Sequence, residues 1–336
     1  MSDELVDIVV VGSHAPGLRI DVDVLPQPGE TIIGHSMTWP LDGGKGSNQA
    51  IAAAELGART AFVGRVGADI LGNSAIDLLA SRGIDIRHFS RSNTASTGSG
   101  VNIIDSQGVP EMITIRGANA ELNNKHVAAA LESYPRAKVV LTQMEIDPHV
   151  ALYAARLGKQ RGAISIVNAA PATLWPLGPN DLASTVDILV VNETEARLLD
   201  GGTMQTTGSE AALAASLRSA VAARAVVITL GERGLVAQYD DQRWQLDGTN
   251  VSTVDTSGAG DVFCAALAVG ISAGMSVREA CVWANIAAGI SVTRQGTIPS
   301  FPSREEVDAM IVAILGEGSR VPQSGGARTL RTNASS

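Results

Sequence analysis

The sequence predicts an α/β fold, a three-layer sandwich with a mainly parallel central sheet and a small β-sheet lid. Short apolar runs rich in Val and Ile alternate with helical stretches along the chain, which is typical of parallel strands buried on both faces. Two regions, residues 18–40 and 97–116, contain strand-like runs with no helix between them. The 336 residues are 45% hydrophobic, which is enough to bury a large core.

The predicted elements of the main sheet follow one another in a regular order. The strands are Asp7–Gly12, Thr60–Val66, Lys138–Thr142, Ile164–Asn168, Asp187–Val191 and Ala225–Leu230. The helices are Ser47–Leu56, Ala68–Ser81, Val150–Arg161, Ser209–Ala223 and Val277–Thr293. Glycine stands where a C-cap is expected after three helices, at Gly57, Gly83 and Gly162. Repeated strand–helix–strand units imply a parallel sheet with helices on both faces.

The lid is predicted from strand-like pieces outside this rhythm. These are Thr31–Ile33, Gly100–Ile104 and Met112–Ile115, and the turn Asp105–Gly108 suits a hairpin. We expect them to form a small sheet over the carboxyl ends of the main strands. A lid in that place suits a reaction that must exclude water.

The predicted organisation is one domain over residues 1–315, with the lid drawn from about residues 13–42 and 97–117. No internal repeat divides it. Residues 316–336 are polar and rich in Gly and Ser, so we expect them to form a disordered tail.

Charge and cysteine content narrow the class of partner. The net charge of -9 argues against nucleic acid or an acidic membrane surface. Cys264 and Cys281 lie in apolar helical patterns, so we expect buried, reduced thiols and no disulfide framework. The segment Met1–Leu5 lacks the features of a signal peptide, and no apolar run reaches membrane-spanning length. We therefore expect a soluble, cytoplasmic protein.

The segment Asp255–Asp261 (DTSGAGD) runs straight into an apolar helix and is the strongest functional signal. A helix start presents unpaired N–H groups and partial positive charge, and small residues let the backbone approach an anion closely. A phosphate held there would lie beside Asp261, which could take a proton from an attacking hydroxyl. The alternative is a helix cap after a tight turn, but capping does not need Gly-Ala-Gly before the Asp.

Polar motifs follow four successive predicted strands. They are Asn168–Pro171, Asn192–Glu195, Thr229–Gly234 and Asp255–Asp261. Open α/β sheets bind ligands at the carboxyl ends of their strands, so together these motifs outline a nucleotide–metal groove. The second motif also has the spacing of a capping box, and the glycines of the third could simply close a hairpin turn.

The loop Gly43–Asn48 opens an early helix. It is similar to a Walker A loop, but Gly46 follows the lysine at the position where that motif requires Ser or Thr. We interpret it as a backbone-exposing loop that hydrogen-bonds a hydroxylated substrate, with Lys45 and Asn48 as donors. The alternative is a flexible loop leading into the helix. The five histidines form no metal-ligand pair at helical spacing.

Two of these motifs, Gly43–Asn48 (GGKGSN) and Asp255–Asp261 (DTSGAGD), resemble the two signatures of the ribokinase-like (PfkB) carbohydrate kinases. The further motifs that fit, in the same order between them, are Gly64–Gly72, Gly117–Asn119, Asn192–Glu195 and Thr229–Gly234. The resemblance covers about residues 5–310. Two independent signatures in the right order make it specific.

The resemblance implies a ribokinase-like domain with a β lid used for homodimerisation. It implies transfer of the γ-phosphoryl group of ATP to a sugar hydroxymethyl group, on D-ribose or a related pentose or hexose, with Mg²⁺ and K⁺ as cofactors. A nucleoside kinase of the same fold stays open, although only 3% of residues are aromatic. A non-catalytic sugar- or nucleotide-binding regulator is the third possibility, but a pure binder does not need a base.

The resemblance also implies roles for individual residues. Asp261 would be the general base. The anion hole would comprise Gly258, Ala259 and Gly260. The sugar would be held by Gly43, Gly44, Lys45, Asn48, Glu145 and Asp261. The nucleotide site would comprise Asn192, Glu195, Thr229, Gly231, Gly234, Gly260 and Asn285. Of these, Asn192 and Glu195 would organise Mg²⁺ and the phosphates. A potassium site would draw on Asp255, Ser257, Ser291, Arg294, Gly296 and Ser300.

One departure from the family concerns the sugar. The family carries Asn-x-Asp after the Gly-Ser of the first strand, and here Ala15 and Gly17 stand at those positions. A carboxylate that accepts two hydroxyl hydrogen bonds is not replaced by glycine without loss of affinity. Either Asp21, Asp23 or Asp42 takes over, or the substrate differs at those hydroxyls. Of these we favour Asp42, next to the glycine loop, and its alternative, a solvated turn residue, stays open.

Overall fold

The computed structural model describes residues 5–39, 43–107, 110–172, 185–201 and 209–315. Three of the sequence predictions lie outside these ranges. They concern Asp42 as a sugar ligand, the end of the hairpin turn at Gly108, and the tail over residues 316–336.

Thirteen strands within the described ranges form two sheets. Their bounds are β1 Ile8–Val11, β2 Gly17–Asp21, β3 Ser36–Thr38, β4 Thr60–Gly67, β5 Phe89–Ser92, β6 Ser99–Ile104, β7 Pro110–Ile115, β8 Val139–Gln143, β9 Ile164–Asn168, β10 Ile188–Asn192, β11 Ala225–Thr229, β12 Leu235–Tyr239 and β13 Gln242–Leu246. The large sheet has the order β13-β12-β11-β10-β9-β8-β1-β4-β5. Its pairs are parallel from β5 to β11, and β12 and β13 add an antiparallel edge.

The α-helices of the described ranges lie on both faces of the large sheet. Their bounds are α1 Lys45–Glu55, α2 Ile70–Ser81, α3 Asn124–Ser133, α4 Pro148–Gln160, α5 Glu193–Leu199, α6 Glu210–Val221, α7 Ala259–Ser272, α8 Val277–Ser291 and α9 Arg304–Leu315. The glycines predicted to follow three helices do so with positive φ, at Gly57, Gly83 and Gly162. Such glycines satisfy the last helical carbonyls without steric cost.

The core is divided by the sheet into two layers. On β1, Ile8 and Val10 belong to one apolar cluster, whereas Val9 and Val11 belong to the other. All four side chains are inaccessible to solvent. Alternate residues of one strand therefore face helices on opposite sides, which is why these strands are continuous apolar runs. The predicted three-layer α/β sandwich is confirmed.

The second sheet has four strands in the order β3-β2-β6-β7. It is built from the two regions that were predicted to lack intervening helices. One predicted strand was wrong, because Thr31–Ile33 is irregular and β3 begins only at Ser36. The chain pairs with β2 only between Ser36 and Thr38, and Ile33 is 91% exposed, so its apolar side chain is not part of a sheet face.

The free cysteines Cys264 and Cys281 are buried in α7 and α8, as predicted. Across the described residues, the helices are too short or too polar for a bilayer-spanning segment.

Candidate active site

Asp261 lies in the first turn of α7 and is buried. The helix begins after Gly258, whose left-handed φ of 76° ends the preceding turn, and no side chain caps the helix start. Asp261 is therefore not the N-cap, and the capping alternative for it was wrong. The N–H of Ala259 donates to the carbonyl of Thr256 at 3.2 Å. The remaining N–H groups of the first turn have no partner within the helix, so they provide anion-binding capacity beside the carboxylate.

Two side-chain amides of α1 orient the Asp261 carboxylate. Asn48 donates from Nδ2 to Oδ2 at 2.9 Å, and Gln49 donates from Nε2 to Oδ1 at 3.0 Å. Gln143, at the end of β8, donates in turn to Oε1 of Gln49 at 2.6 Å. Both glutamines are fully buried, so this chain of hydrogen bonds lies away from water and holds the carboxylate in one orientation.

Gln49 and Gln143 were not among the predicted site residues. Gln49 is a fully buried amide in a helix whose next residues are Ala and Ile, and that polar position on an apolar face is the signal that would identify it. Gln143 has no comparable signal in the sequence. A Cβ on Gly12 would lie 2.1 Å from its Oε1, so the glycine at the end of β1 makes room for it.

Glu145 fixes the start of the glycine loop. It accepts hydrogen bonds from Ser13 Oγ at 2.5 Å and from the backbone N–H of Lys45 at 2.8 Å. Burial favours the neutral form of Lys45, but the carboxylates of Asp261, Glu145 and Glu195 outweigh it and raise the pKa of the ammonium group. Lys45 is therefore a retained positive charge among three carboxylates.

The glycine loop packs tightly against the end of β1. Gly44 has a φ of 85°, and a Cβ there would lie 2.6 Å from the backbone nitrogen of Ala15. The hydroxyl of Ser47 donates to the carbonyl of Gly43 at 2.7 Å. The loop is therefore held by close backbone packing and by the Ser47 side chain.

His14 and Asn119 hold the other side of the loop in place. Asn119 accepts from the His14 N–H at 3.0 Å and donates to its carbonyl at 2.8 Å. The buried imidazole contacts Ser47 Oγ at 3.0 Å through Nδ1. Burial lowers the pKa of His14 to about 4, so the ring is neutral at physiological pH and serves packing, not charge.

A cavity of about 470 Å³ lies between the large sheet and the inner face of the small sheet. It is lined by Gly43, Gly44, Lys45, Asn48, Glu145 and Asp261, which were predicted together as the sugar site. Ala15 and Gly17 line it as well. Asp21 and Asp23 are not among the described lining residues. Asp21 pairs with Arg19, and Asp23 pairs with His35.

The predicted nucleotide residues lie along a second stretch of the same sheet edge. Asn192 and Thr229 are register partners at the ends of β10 and β11. Asn192 and Glu195 form the capping box of α5. The pKa of the Glu195 carboxyl group is raised, mainly because the group is buried. Gly231 and Gly234 close the hairpin turn from β11 to β12, as in their alternative reading.

Asn285 on α8 is linked to this turn through an intervening loop. Its Nδ2 donates to the carbonyl of Asp247 at 2.8 Å, and a Cβ on Gly234 would lie 2.6 Å from the carbonyl carbon of Asp247. The turn, the loop and α8 therefore form one continuous surface beside the strand ends.

The predicted potassium residues belong to two adjoining segments. Asp255 accepts from the N–H of Ser257 and from the N–H of Gly296, each at 2.9 Å. These backbone donors hold the pKa of Asp255 below its usual value. Ser291 and Ser300 are buried, and their hydroxyls donate to backbone carbonyls. The Arg294 guanidinium pairs with Glu306.

The donor set indicates how a metal would be held. Among the described residues, no group of three or more His, Cys, Asp or Glu side chains could hold a metal ion. Mg²⁺ is bound in many enzymes by one or two carboxylates together with water and substrate phosphates. Glu195 beside the strand ends fits that mode. Asp255, with the carbonyls of its two joined segments, fits a weakly held monovalent cation.

Comparison with known proteins gives one consistent result. Residues 7–304 match the pfkB family carbohydrate kinase profile. Ribokinase from Mus musculus is 34% identical over 311 residues, covering 91% of this chain and 94% of the relative. The structure of ribokinase from Giardia lamblia superimposes with a TM-score of 0.82 at 28% identity, covering 93% of this chain and all of that one. Arabidopsis thaliana ribokinase complexed with ribose and ATP gives a TM-score of 0.79 at 31% identity, covering 90% and 97%.

Proposed function

The chain belongs to the pfkB family of carbohydrate kinases, and we propose that it transfers the γ-phosphoryl group of ATP to a hydroxymethyl group of a pentose or hexose. One observation carries this assignment. A buried carboxylate, Asp261, is held by two amide donors at the bottom of a sugar-sized cavity, next to an uncapped helix start. Ribokinase relatives, one of them solved with ribose and ATP, support the choice of acceptor class.

We propose that Asp261 is the general base of the transfer. Its carboxylate accepts the proton of the acceptor hydroxyl while Asn48 and Gln49 keep it turned towards the cavity. Gly258, Ala259 and Gly260 present the start of α7 to the phosphoryl oxygens. Donors placed where negative charge develops supply much of the rate enhancement in such reactions. Lys45, which stays protonated among the surrounding carboxylates, adds positive charge at the same place.

We propose that Asn192 and Glu195 organise Mg²⁺ and the nucleotide phosphates, partly through water. Thr229, Gly231, Gly234 and Asn285 line the nucleotide site. Bound Mg²⁺ supplies charge neutralisation on the phosphoryl oxygens. The sugar contacts are Gly43, Gly44, Lys45, Asn48 and Glu145. Asp42, which was proposed from the sequence as a further contact to the sugar, stays a proposal.

A coupled assay of ADP release tests the assignment. We expect turnover with members of a panel of pentoses and hexoses, and little with sugar acids or nucleosides. Preferred turnover of a nucleoside would support the nucleoside kinase instead. An absence of turnover with every acceptor, at saturating ATP and Mg²⁺, would contradict a kinase and favour a binding regulator.

The two proposed cation sites predict that turnover depends on Mg²⁺ and, separately, on K⁺. Chelation of Mg²⁺ should abolish turnover, because the transferring phosphoryl group then loses its main neutralising charge. Replacing K⁺ by tetramethylammonium at equal ionic strength should lower kcat by about fivefold to tenfold, since only the specific site is emptied. Asp255→Ala should remove that K⁺ response. Equal rates in the two salts would contradict the proposed potassium site.

We propose that the small sheet forms a homodimer through its outer face. The cross-strand register places Ile20, Met37 and Ile113 on this face, opposite the face that carries Arg19, Thr38 and Asn102. Met37 and Ile113 are 65% and 59% exposed, so they form an apolar surface that a second copy would cover. The two buried, free cysteines support a cytoplasmic location, where thiols stay reduced.

The dimer predicts an effect of charge on that face. Light scattering after size exclusion should give twice the chain mass of 34.6 kDa for the wild type and a single chain mass for Ile113→Lys, because a lysine cannot be buried unpaired in an apolar interface. Val312→Lys on α9, which changes a 44% exposed residue away from the small sheet, is the matched control and should stay dimeric. A monomeric wild type would contradict the proposal.

A further inference from the structure

The inner face of the small sheet, which carries Arg19, is mostly polar, unlike its outer face. The register pairs Arg19 of β2 with Thr38 of β3 and with Asn102 of β6, so their side chains point the same way. Thr114 of β7 is on this face as well, opposite Gly100. All five residues line the cavity that contains Asp261. A ligand in the cavity therefore meets hydrogen-bonding groups on the lid side as well as on the side of the glycine loop.

A recess interrupts this face next to the polar side chains. Gly17 and Gly100 are direct cross-strand partners, and both line the cavity. A Cβ on Gly17 would meet no atom within 4 Å, and a Cβ on Gly100 would meet only backbone atoms at 3.9 Å. The two missing side chains thus leave open space in the cavity wall. Ala15, which lines the cavity nearby, adds only a methyl group.

The polar groups beside the recess have unused hydrogen-bonding capacity. Oδ1 of Asn102 is buried without a hydrogen-bond partner among the described residues. Arg19 is anchored to Asp21 through Nε and Nη2, with Nη2–Oδ1 at 2.9 Å, and its Nη1 has no hydrogen-bond partner among the described residues. A buried acceptor without a donor is costly unless a ligand supplies one. A hydroxyl satisfies both neighbours, because it donates to Asn102 and accepts from Arg19.

We propose that the recess at Gly17 and Gly100 receives a hydroxyl-bearing carbon of the acceptor that a pentose lacks. The preferred acceptor is then a hexose-sized sugar, and Arg19 and Asn102 determine that preference. This inference rests on the proposed sugar kinase function and specifies its acceptor. It also accounts for Ala15 and Gly17, since small residues at these positions make the room that the larger sugar occupies.

Matched pairs of sugars test the recess directly. D-psicose in its furanose form has the configuration of D-ribose with one further hydroxymethyl group, and D-fructose stands in the same relation to D-arabinose. We expect the wild type to favour the hexose of at least one pair by about tenfold or more in kcat/KM, the discrimination that one recognised group provides. A preference for the pentose in both pairs would overturn the inference.

Variants locate the preference on the small sheet. Gly100→Val fills the recess with a residue suited to a strand and should lower the hexose-to-pentose ratio about tenfold or more. Asn102→Leu should raise the KM for the hexose about tenfold while the KM for the pentose and for ATP stay unchanged. Ser99→Val, which changes the opposite face of the same strand, is the control and should keep the wild-type ratio.

The outcomes separate this inference from the function on which it rests. A wild-type ratio in both Gly100→Val and Asn102→Leu overturns the recess while leaving the kinase intact. An absence of ADP release with all four sugars and with the wider panel contradicts the proposed function itself. If Gly100→Val fails to fold, Asn102→Leu alone decides.

Discussion

Asp261→Asn is expected to lower kcat by about a hundredfold or more while ATP binding is retained, because the amide cannot accept the proton of the attacking hydroxyl. The substitution preserves the size of the side chain, and the buried site next to Asn48 and Gln49 should stay packed. Steady-state kinetics give kcat, and calorimetry gives the dissociation constant for ATP. The two measurements check the two halves of this expectation.

Gln143→Met provides the matched comparison for Asp261→Asn. It leaves the carboxylate and its two direct donors in place and removes only the support behind Gln49. Its effect on kcat should be well below that of Asp261→Asn. Near-normal turnover of Asp261→Asn would remove Asp261 from the role of base, whatever the comparison variant does.

Gly258→Ala is expected to lower both stability and activity. The residue has a φ of 76°, and a Cβ would lie 2.7 Å from Thr297 Cγ2 and 3.0 Å from Phe301 Cε1. Left-handed backbone in a residue other than glycine costs about 1–3 kcal/mol of unfolding free energy, before the collision is added. Relief of the strain would shift the start of α7, and a displacement of about 1 Å can cost about a hundredfold in rate.

Gly260→Ala separates the two effects. A Cβ at that position would meet no atom within 4 Å, and alanine is more favourable than glycine in a helix by about 1 kcal/mol. Urea unfolding should therefore show a stability equal to or above that of the wild type. Activity should still fall, because the methyl group occupies the space proposed for the phosphoryl oxygens. A destabilised Gly260→Ala, or a Gly258→Ala as stable as the wild type, would contradict this account of the helix start.

The strands of the large sheet were predictable because each one is marked by a short, contiguous run of apolar residues. Strands such as Ile8–Val11 are buried on both faces, which leaves an uninterrupted apolar run in the sequence. The small sheet was less predictable, since its strands are only partly buried and have weaker patterns. The chain at Thr31–Ile33 has the composition of a strand but lies beyond the pairing with β2, and pairing is a tertiary property.

The site could be predicted where a motif is contiguous and not where it is assembled from distant segments. Asp261, Lys45 and Asn48 belong to two short signatures. The hydrogen bond from Gln143 to Gln49 joins residues 94 positions apart, and nothing local identifies its two ends as partners. The pairing of Gly17 with Gly100 likewise depends on the register of β2 and β6.

The chemical identity of the product tests the central claim most directly. The protein, ATP, Mg²⁺ and the best acceptor from the panel would be followed by ³¹P NMR with proton coupling. The account predicts ADP and a phosphomonoester whose phosphorus couples to the two protons of a hydroxymethyl carbon. Inorganic phosphate as the only phosphoryl product, or a monoester coupled to a single proton of a secondary carbon, would contradict it.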